Sequence, residues 1–311
     1  MSDFFSAAAD VVSNDVSYSA AMRFAALLAF AAIGELIAER AGTLNISLEG
    51  MLLGGAFAGA LGMHWTGSVT VGLLLATATG LATAVIQANM SHRLSANEFV
   101  VGLALNILVL GVASFLNSTI NPVTHSAHRF AIPLLEDIPL IGEALFAQPW
   151  PMYLIYPLIP AAWWLLYRTH WGLEVRAVGE NPQAVNVSGI DVNKRRRQAI
   201  YVAGITSGIG GGYLVLGQIG RFEETIVAGQ GFIAIAAVIF GGWTLRGVIG
   251  GCLLFGTVNS FRLTLPTLGH ELNSELLSAA PFVITIVVVA VFAHRTRAPK
   301  ALATPFPHHP I

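Results

Sequence analysis

Gly179-Glu180-Asn181-Pro182-Gln183-Ala184 and, further on, Lys194-Arg195-Arg196-Arg197 stand in one polar stretch, residues 168–198, with a long apolar run on either side. Basic residues collect in the cytoplasmic loops of multispanning membrane proteins, so this stretch predicts such a protein with residues 168–198 in the cytoplasm. Its local chemistry predicts a short helix as well. Asn181 is a favourable N-cap, Pro182 suits the first helical position, and Gly189 can close the helix in a left-handed conformation. The expected product is about two turns over 182–188, outside the bilayer and beside the basic cluster.

Composition agrees. Hydrophobic residues make up 55% of the 311, charged residues only 11%, and mean hydropathy is +0.69; soluble domains carry about 25% charge. With a net charge of -1 and few, segregated basic residues, no stripe for nucleic acid is expected. The single cysteine, Cys252, lies in an apolar run, which leaves no intrachain disulfide and no cysteine metal site. The tail 301–311 reads as disordered, and its pair His308 and His309 is too little for a metal site. No metal ligands and no catalytic residues are assigned. Lys194 follows Asn193 and Lys300 follows Pro299, so neither belongs to a phosphate-binding loop. Ser207 could suggest an intramembrane nucleophile, but every histidine falls in a loop or at a span end, which leaves it without a base.

Residues 1–18 carry Asp3, Asp10 and Asp15 but no Lys or Arg, unlike the start of a cleaved signal peptide, so the first apolar run is expected to remain as an anchor. Spans are predicted at 19–38, 69–88, 99–117, 152–167, 199–218 and 276–293. Shorter or glycine-rich ones at 47–63, 231–243 and 247–261 could be broken or re-entrant. The expected fold is an all-α polytopic bundle of eight or nine spans, one permease-like domain over 19–294. The N-terminal segment 1–18 and the loop 118–151 lie outside, and the tail 295–311 lies in the cytoplasm. Arg40, Arg93, Arg168, Arg176, Lys194 to Arg197, Arg246, Arg295, Arg297 and Lys300 then fall inside, against Arg129, Arg221 and Arg262 outside. The loop 118–151 reads equally as a docking surface for an external protein or as a cover for the bundle. Gly204, Gly208 and Gly212 recur every four residues, a face for close helix packing. Asn106 and Thr206 lie deep in their spans: either they line a path for a neutral polar solute, or they bond between helices.

An ion-driven secondary transporter competes with this reading, but such proteins place ionisable groups near the midplane. Here Glu35, Glu39 and Arg40 sit toward the inner end of the first span and Glu49 near that of the second, where Glu35 or Glu39 could pair with Arg40. The run Gly34-Glu35-Leu36-Ile37-Ala38-Glu39-Arg40-Ala41-Gly42-Thr43-Leu44-Asn45-Ile46-Ser47-Leu48-Glu49-Gly50-Met51 resembles the signature of bacterial ABC-transporter permeases of the branched-chain amino acid and simple-sugar superfamily. It is most similar to the shorter permease of nucleoside uptake systems, whose pattern is Glu-Arg-x-Gly-x-x-Asn-Ile-x-Leu-Glu-Gly-Met. The likeness continues through Arg176 to Pro182, Gly189-Ile190 and Gly241-Gly242, from about residue 20 to about 293.

What the resemblance implies is half of an import channel with the type II importer fold, in the bacterial cytoplasmic membrane. Its partners would be a second, longer permease, an ATPase with tandem nucleotide-binding domains that uses ATP and Mg2+, and an extracytoplasmic binding protein. This chain would bind no cofactor. The expected solutes are nucleosides, with sugars or other small polar metabolites as the alternative. By the same resemblance Gly179, Glu180, Asn181, Pro182, Ala184 and Gly189 form the coupling segment that seats on the ATPase. Glu35, Glu39, Arg40, Gly42, Asn45, Glu49 and Gly50 form the signature near the inner interface.

Overall fold

The computed structural model describes residues 14–139, 141–267 and 297–306, with Val283 and Ile286. The predicted span 276–293 and most of segment 1–18 lie outside the described residues.

Helix α1 (Asp15–Arg40) starts where Asn14 Oδ1 accepts from Val16 N at 2.9 Å and stops at Gly42, whose φ of +81° a residue with a Cβ adopts only under strain. After α2 (Leu48–Thr66) and α3 (Val69–His92), helix α4 (Glu98–Ile120) is capped by Asn97, which accepts from Phe99 N and Val100 N. A connection with two three-residue strands, β1 (Arg129–Ala131) and β2 (Ala147–Pro149), and α5 (Gly142–Phe146) leads to α6 (Ile155–Arg168). The strands pair antiparallel, so among the described residues the fold is helical, as expected, apart from this small strand pair.

Then come α7 (His170–Glu180), α8 (Pro182–Val187) and α9 (Val192–Tyr213), which runs into a π-helical turn, Leu214–Ile219. The expected loop 168–198 is therefore largely helical, and the basic cluster forms the first turns of α9. Asp191 explains it: its Oδ1 accepts from Lys194 N at 2.9 Å, and the long-chain basic residues that follow are good helix formers. Helices α10 (Gln230–Phe240) and α11 (Leu245–Thr267) complete the described fold.

Among the described residues five helices are long and apolar enough to cross a membrane: α1, α3, α4, α9 with its π turn, and α11. Helix α2 has 19 residues, enough length, but is less apolar; it is largely enclosed by other helices and meets little lipid, which relaxes the need for hydrophobicity. Helix α10, with 11 residues, spans about 16 Å, half of a bilayer core.

The apolar window of α1 is 83% buried and that of α9 78%, against 22% for α4, so α1 and α9 form the centre and α4 the flank. Packing of α9 on α3 is close because its small face points there. A Cβ on Gly208 would lie 2.9 Å from Thr77 Cα and also meet Ala76 O, while Gly204 abuts Gly80 and Ala84, and Gly212 abuts Leu73 and Ala76. The predicted packing face is thus a helix contact, with backbones too close to admit a side chain.

Hydrogen bonds define the two ends of the bundle. At one end Arg40 Nε donates to Trp243 O at 2.7 Å, Thr43 Oγ1 meets His92 Nε2 at 2.8 Å, and Ala301 N donates to Gly179 O at 2.9 Å. At the other, Ala127 N donates to Leu216 O at 2.6 Å, Arg23 Nε to Gln148 Oε1 at 2.7 Å, and Val123 N to His64 Nδ1 at 3.2 Å. The connection 121–149 is thereby tied over its end of the bundle. It also exposes Val123, Phe130 and Leu134.

Candidate functional site

Two places gather the residues singled out in the sequence. The first is a groove of about 460 Å³ between α2, α4 and the segment that joins the π turn to α10. Its polar lining is Glu49, Asn106, Ser114, Glu224 and Thr225, set among Leu53, Ile107, Leu110 and Val227. The volume falls within the range of small-molecule sites, roughly 300 to 1,000 Å³. Residues 220–229 are not helical although they run down the bundle to meet α2. Irregular backbone at membrane depth persists where protein buries it or where it lines a cavity; here Phe222, Ile226 and Val227 are buried, while Glu224, Thr225 and Ala228 are exposed along the groove.

Glu49 organises this arrangement. Its Oε1 accepts from Gly229 N at 2.6 Å and its Oε2 from Gly231 N at 2.7 Å, so one carboxylate satisfies two amide groups at the start of α10. A negative charge is favoured at a helix N-terminus, where the amide dipoles point outward. Asn106, the predicted pathway residue, does line the groove, and it also bonds between elements: its Oδ1 accepts from Gly50 N at 2.8 Å and its Nδ2 donates to Ile46 O at 2.9 Å. Gly50 is where that contact needs a missing side chain, since a Cβ would stand 2.9 Å from Asn106 Oδ1. Thr206 does not reach the groove. It is buried, bonds back to Ala203 O at 3.1 Å, and packs against Gly34. Ser114, Glu224 and Thr225 were missed because no local pattern distinguishes a lining serine or a loop carboxylate before the elements converge.

The second place is built from the rest of the signature run, at the end where Arg40 meets Trp243. Glu35 Oε1 accepts from Asn45 N at 3.1 Å, Glu39 Oε2 accepts from the Trp243 indole Nε1, and Ser47 Oγ donates to Asn45 Oδ1 at 2.8 Å. The expected pairing of Glu35 or Glu39 with Arg40 is absent among the described ion pairs; Arg40 holds the Trp243 carbonyl instead. The turns after α1 and after α10 offer backbone groups without helical partners, which Glu35 and Arg40 satisfy at Asn45 N and Trp243 O.

Beside it lies the predicted coupling segment. Asn181 Oδ1 accepts from Ala184 N at 3.1 Å, Pro182 occupies the first turn of α8, and Gly189 has φ +83°. The helix ends at Val187, one residue short of expectation. Glu180, Asn181, Ala184 and Gly189 are exposed, whereas Pro182 is buried and Gly179 is buried against Arg40 and Gly42. Gly179 is thus an anchor, not part of the free surface. Val187, which sequence reasoning passed over, is 88% exposed at the tip of α8, while Val185 packs beneath with Val178 and Val192. The basic cluster is not a surface patch throughout: Arg195 pairs with Glu174, but Arg196 is fully buried.

Residues 17–292 match the family model described as branched-chain amino acid transport system / permease component. The chain belongs to this permease family. It is 32% identical over 302 residues to the guanosine ABC transporter permease protein NupQ of Bacillus subtilis (strain 168), which covers 92% of this chain and 95% of that one. It is 33% identical to the nucleoside ABC transporter permease protein NupC of Lactococcus lactis subsp. cremoris (strain MG1363), over 94% of each chain. A putative glucose ABC transporter permease protein, TsgC13 of Haloferax volcanii, is 31% identical over 92% of this chain and 94% of its own. The chain is accordingly a multi-pass permease component of the cytoplasmic membrane. As such it works in a transport system with an ATPase and a substrate-binding protein.

Proposed function

We propose that this permease forms half of the translocation pathway of an ATP-driven importer for nucleosides, with the type II importer fold. The observation that carries the reading is the groove. It combines a small-molecule volume, a broken span on one wall, and polar groups among apolar ones. Among the described residues its lining includes the carboxylates of Glu49 and Glu224 and no Lys, Arg or His. A neutral solute rich in hydrogen-bond donors suits such a lining, and a phosphorylated one is repelled by it. The guanosine and nucleoside names of two relatives agree with that chemistry.

In this reading a second, longer permease closes the groove against α4, whose Ile107, Leu108, Leu110 and Phe115 are exposed. The end that carries α7 and α8 faces the cytoplasm, because it holds Arg40, Arg93, Arg168, Arg176, Lys194 to Arg197, Arg246, Arg297 and Lys300. An ATPase with tandem nucleotide-binding domains, using ATP and Mg2+, receives α8 with Val187 at its tip. The external binding protein delivers solute at the end covered by residues 121–149. In a bundle of eight or nine spans, 220–240 serves as one broken crossing. ATP binding draws the coupling helices together and turns the groove from one side to the other; no bond in the solute changes.

The glucose name of the third relative supports a sugar as the second reading. Uptake of labelled guanosine and labelled glucose by the reconstituted four-component system separates the two. ATP-dependent accumulation of guanosine, with no competition from guanosine monophosphate, is expected. Accumulation of glucose alone overturns the nucleoside assignment.

A further inference from the structure

Arg196 is the largest of the fully buried side chains, and its guanidinium reaches three backbone carbonyls. Nε donates to Ala41 O at 3.3 Å, Nη1 to Thr304 O at 2.7 Å and Nη2 to Ala301 O at 3.2 Å. These acceptors lie in two segments that are far apart in sequence: the signature turn after α1 and the tail 297–306. Of the tail 301–311 expected to be disordered, residues 301–306 are bonded into the fold and 307–311 lie outside the described residues. Among the described residues no ion pair involves Arg196. The opposing charge that acts on it is the Glu98 carboxylate, through space and without a direct ion pair. Burying a charge is costly unless it is hydrogen-bonded, and an apolar residue of similar size would pack there at lower cost. An arginine at this position is therefore explained by the three carbonyls it joins, not by packing.

The tail is held by further bonds. Ala301 N donates to Gly179 O at 2.9 Å and Ala303 N to Gly42 O at 3.2 Å. Both flanks of α8 consequently end on the same turn. On the preceding side, Gly179 packs so closely on Arg40 and Gly42 that a Cβ would collide with their backbones. On the following side, Asp191 starts α9 and Arg196 returns to Ala41. From that turn Glu39 and Arg40 hold both the indole and the carbonyl of Trp243, just beyond the end of α10. The other end of α10 is the Glu49-capped start that borders the groove.

We propose that Arg196 and the tail strap 297–306 form the relay that carries movement of α8 to α10 and the groove wall, with Arg196 as its positioning residue. This rests on the reading of α8 as the coupling helix. The route is a contiguous set of bonded groups, buried at Arg196, Ala41, Glu39, Gly179, Ala301 and Trp243 and exposed at Ala303 and Thr304. Spatial continuity becomes coupling only when a change along it alters transport per ATP.

The test uses the assembled transporter in proteoliposomes with its ATPase, partner permease and binding protein. Uptake of whichever of labelled guanosine or glucose the wild type accumulates is measured beside ATP hydrolysis in the same preparation. Three variants are compared: Arg196→Gln, a chain ending at Arg297, and Val187→Asp at the tip of α8. Arg196→Lys, which keeps the charge but lacks the fork, is the conservative form. The relay predicts that Arg196→Gln and the shortened chain co-purify with the partner permease yet lower solute transported per ATP by about tenfold, with Arg196→Lys intermediate. If uptake and hydrolysis fall together, so that their ratio stays at the wild-type value, the relay is overturned and the strap is a clamp. Failure of both variants to assemble overturns the relay in the same way. Val187→Asp distinguishes the two failures. If it alone lowers the ratio, α8 couples and the relay is wrong; if no variant does, the coupling reading of α8 is wrong as well.

Discussion

Glu49 and Asn181 illustrate how single polar groups set backbone geometry in this permease. Glu49 satisfies two amides at the start of α10, and Glu49→Ala removes both acceptors together with the charge. Hydrogen bonds to charged groups are worth about 1.5 to 3 kcal/mol each. The expected outcome is a lowered melting temperature of the detergent-purified complex and loss of uptake, with Glu49→Gln milder because the amide oxygen can still accept. A variant with wild-type stability and transport would show that α10 starts without this cap. At α8, Asn181→Ala with Gly189→Val removes the cap, about 0.5 to 2 kcal/mol, and strains the exit at φ +83°. Stimulated ATP hydrolysis and uptake should both fall while the protein still inserts. Membrane yield together with the two activities checks this. The roles of Asn181 and Gly189 were readable from the sequence because caps and left-handed turns are local. The hold of Glu49 on residues 229 and 231 was not, since it joins positions 180 residues apart.

At the scale of elements, the α9 contact with α3 depends on backbone approach at Gly208. A leucine there would drive into Ala76 and Thr77, which are backbone and cannot swing away. Gly208→Leu should therefore abolish co-purification with the proposed partner permease or reduce uptake more than tenfold, an effect of about 1.4 kcal/mol or more in rate terms. Cys252→Ala, which removes one small buried group, should cost about 1 kcal/mol or less and leave uptake near wild type. Co-purification and uptake measured on the same preparations compare the two. The spacing of Gly204, Gly208 and Gly212 announced a packing face, because a four-residue repeat lines up on any helix. Which helix would meet it was not announced. In the same way the boundaries of α3 and α4 were close to those expected, while α9 began earlier than the apolar run, since Asp191 caps a first turn that is basic and needs no lipid.

For the whole molecule, the energy source follows from the family and from where its charges lie. Glu35 and Glu39 are buried near the Arg40 end, bonded to Asn45 and Trp243, and not isolated in the groove. Uptake by the assembled complex is expected to require ATP and to persist when a protonophore collapses the proton gradient. Glu35→Gln should impair assembly or rate without introducing dependence on the gradient. Gradient-driven uptake in vesicles without ATP, lost in Glu35→Gln, would instead make Glu35 a proton carrier. The apolar composition, the basic stretch 168–198 and the signature run were sufficient to read a polytopic permease, because each is a property of contiguous residues.

Tertiary structure decided what those segments do to one another. The sequence determined that the chain lives in lipid, roughly where spans such as α3 and α4 run, and that the segment after Asn181 turns into a short capped helix. Those outcomes depend on transfer of apolar side chains from water and on bonds within a few residues. Convergence of Ser114, Glu224 and Thr225 on one groove, burial of Arg196 among three carbonyls, and the return of the tail onto Gly42 and Gly179 emerge only from the fold. A partner that is a backbone carbonyl has no residue type by which a sequence can announce it.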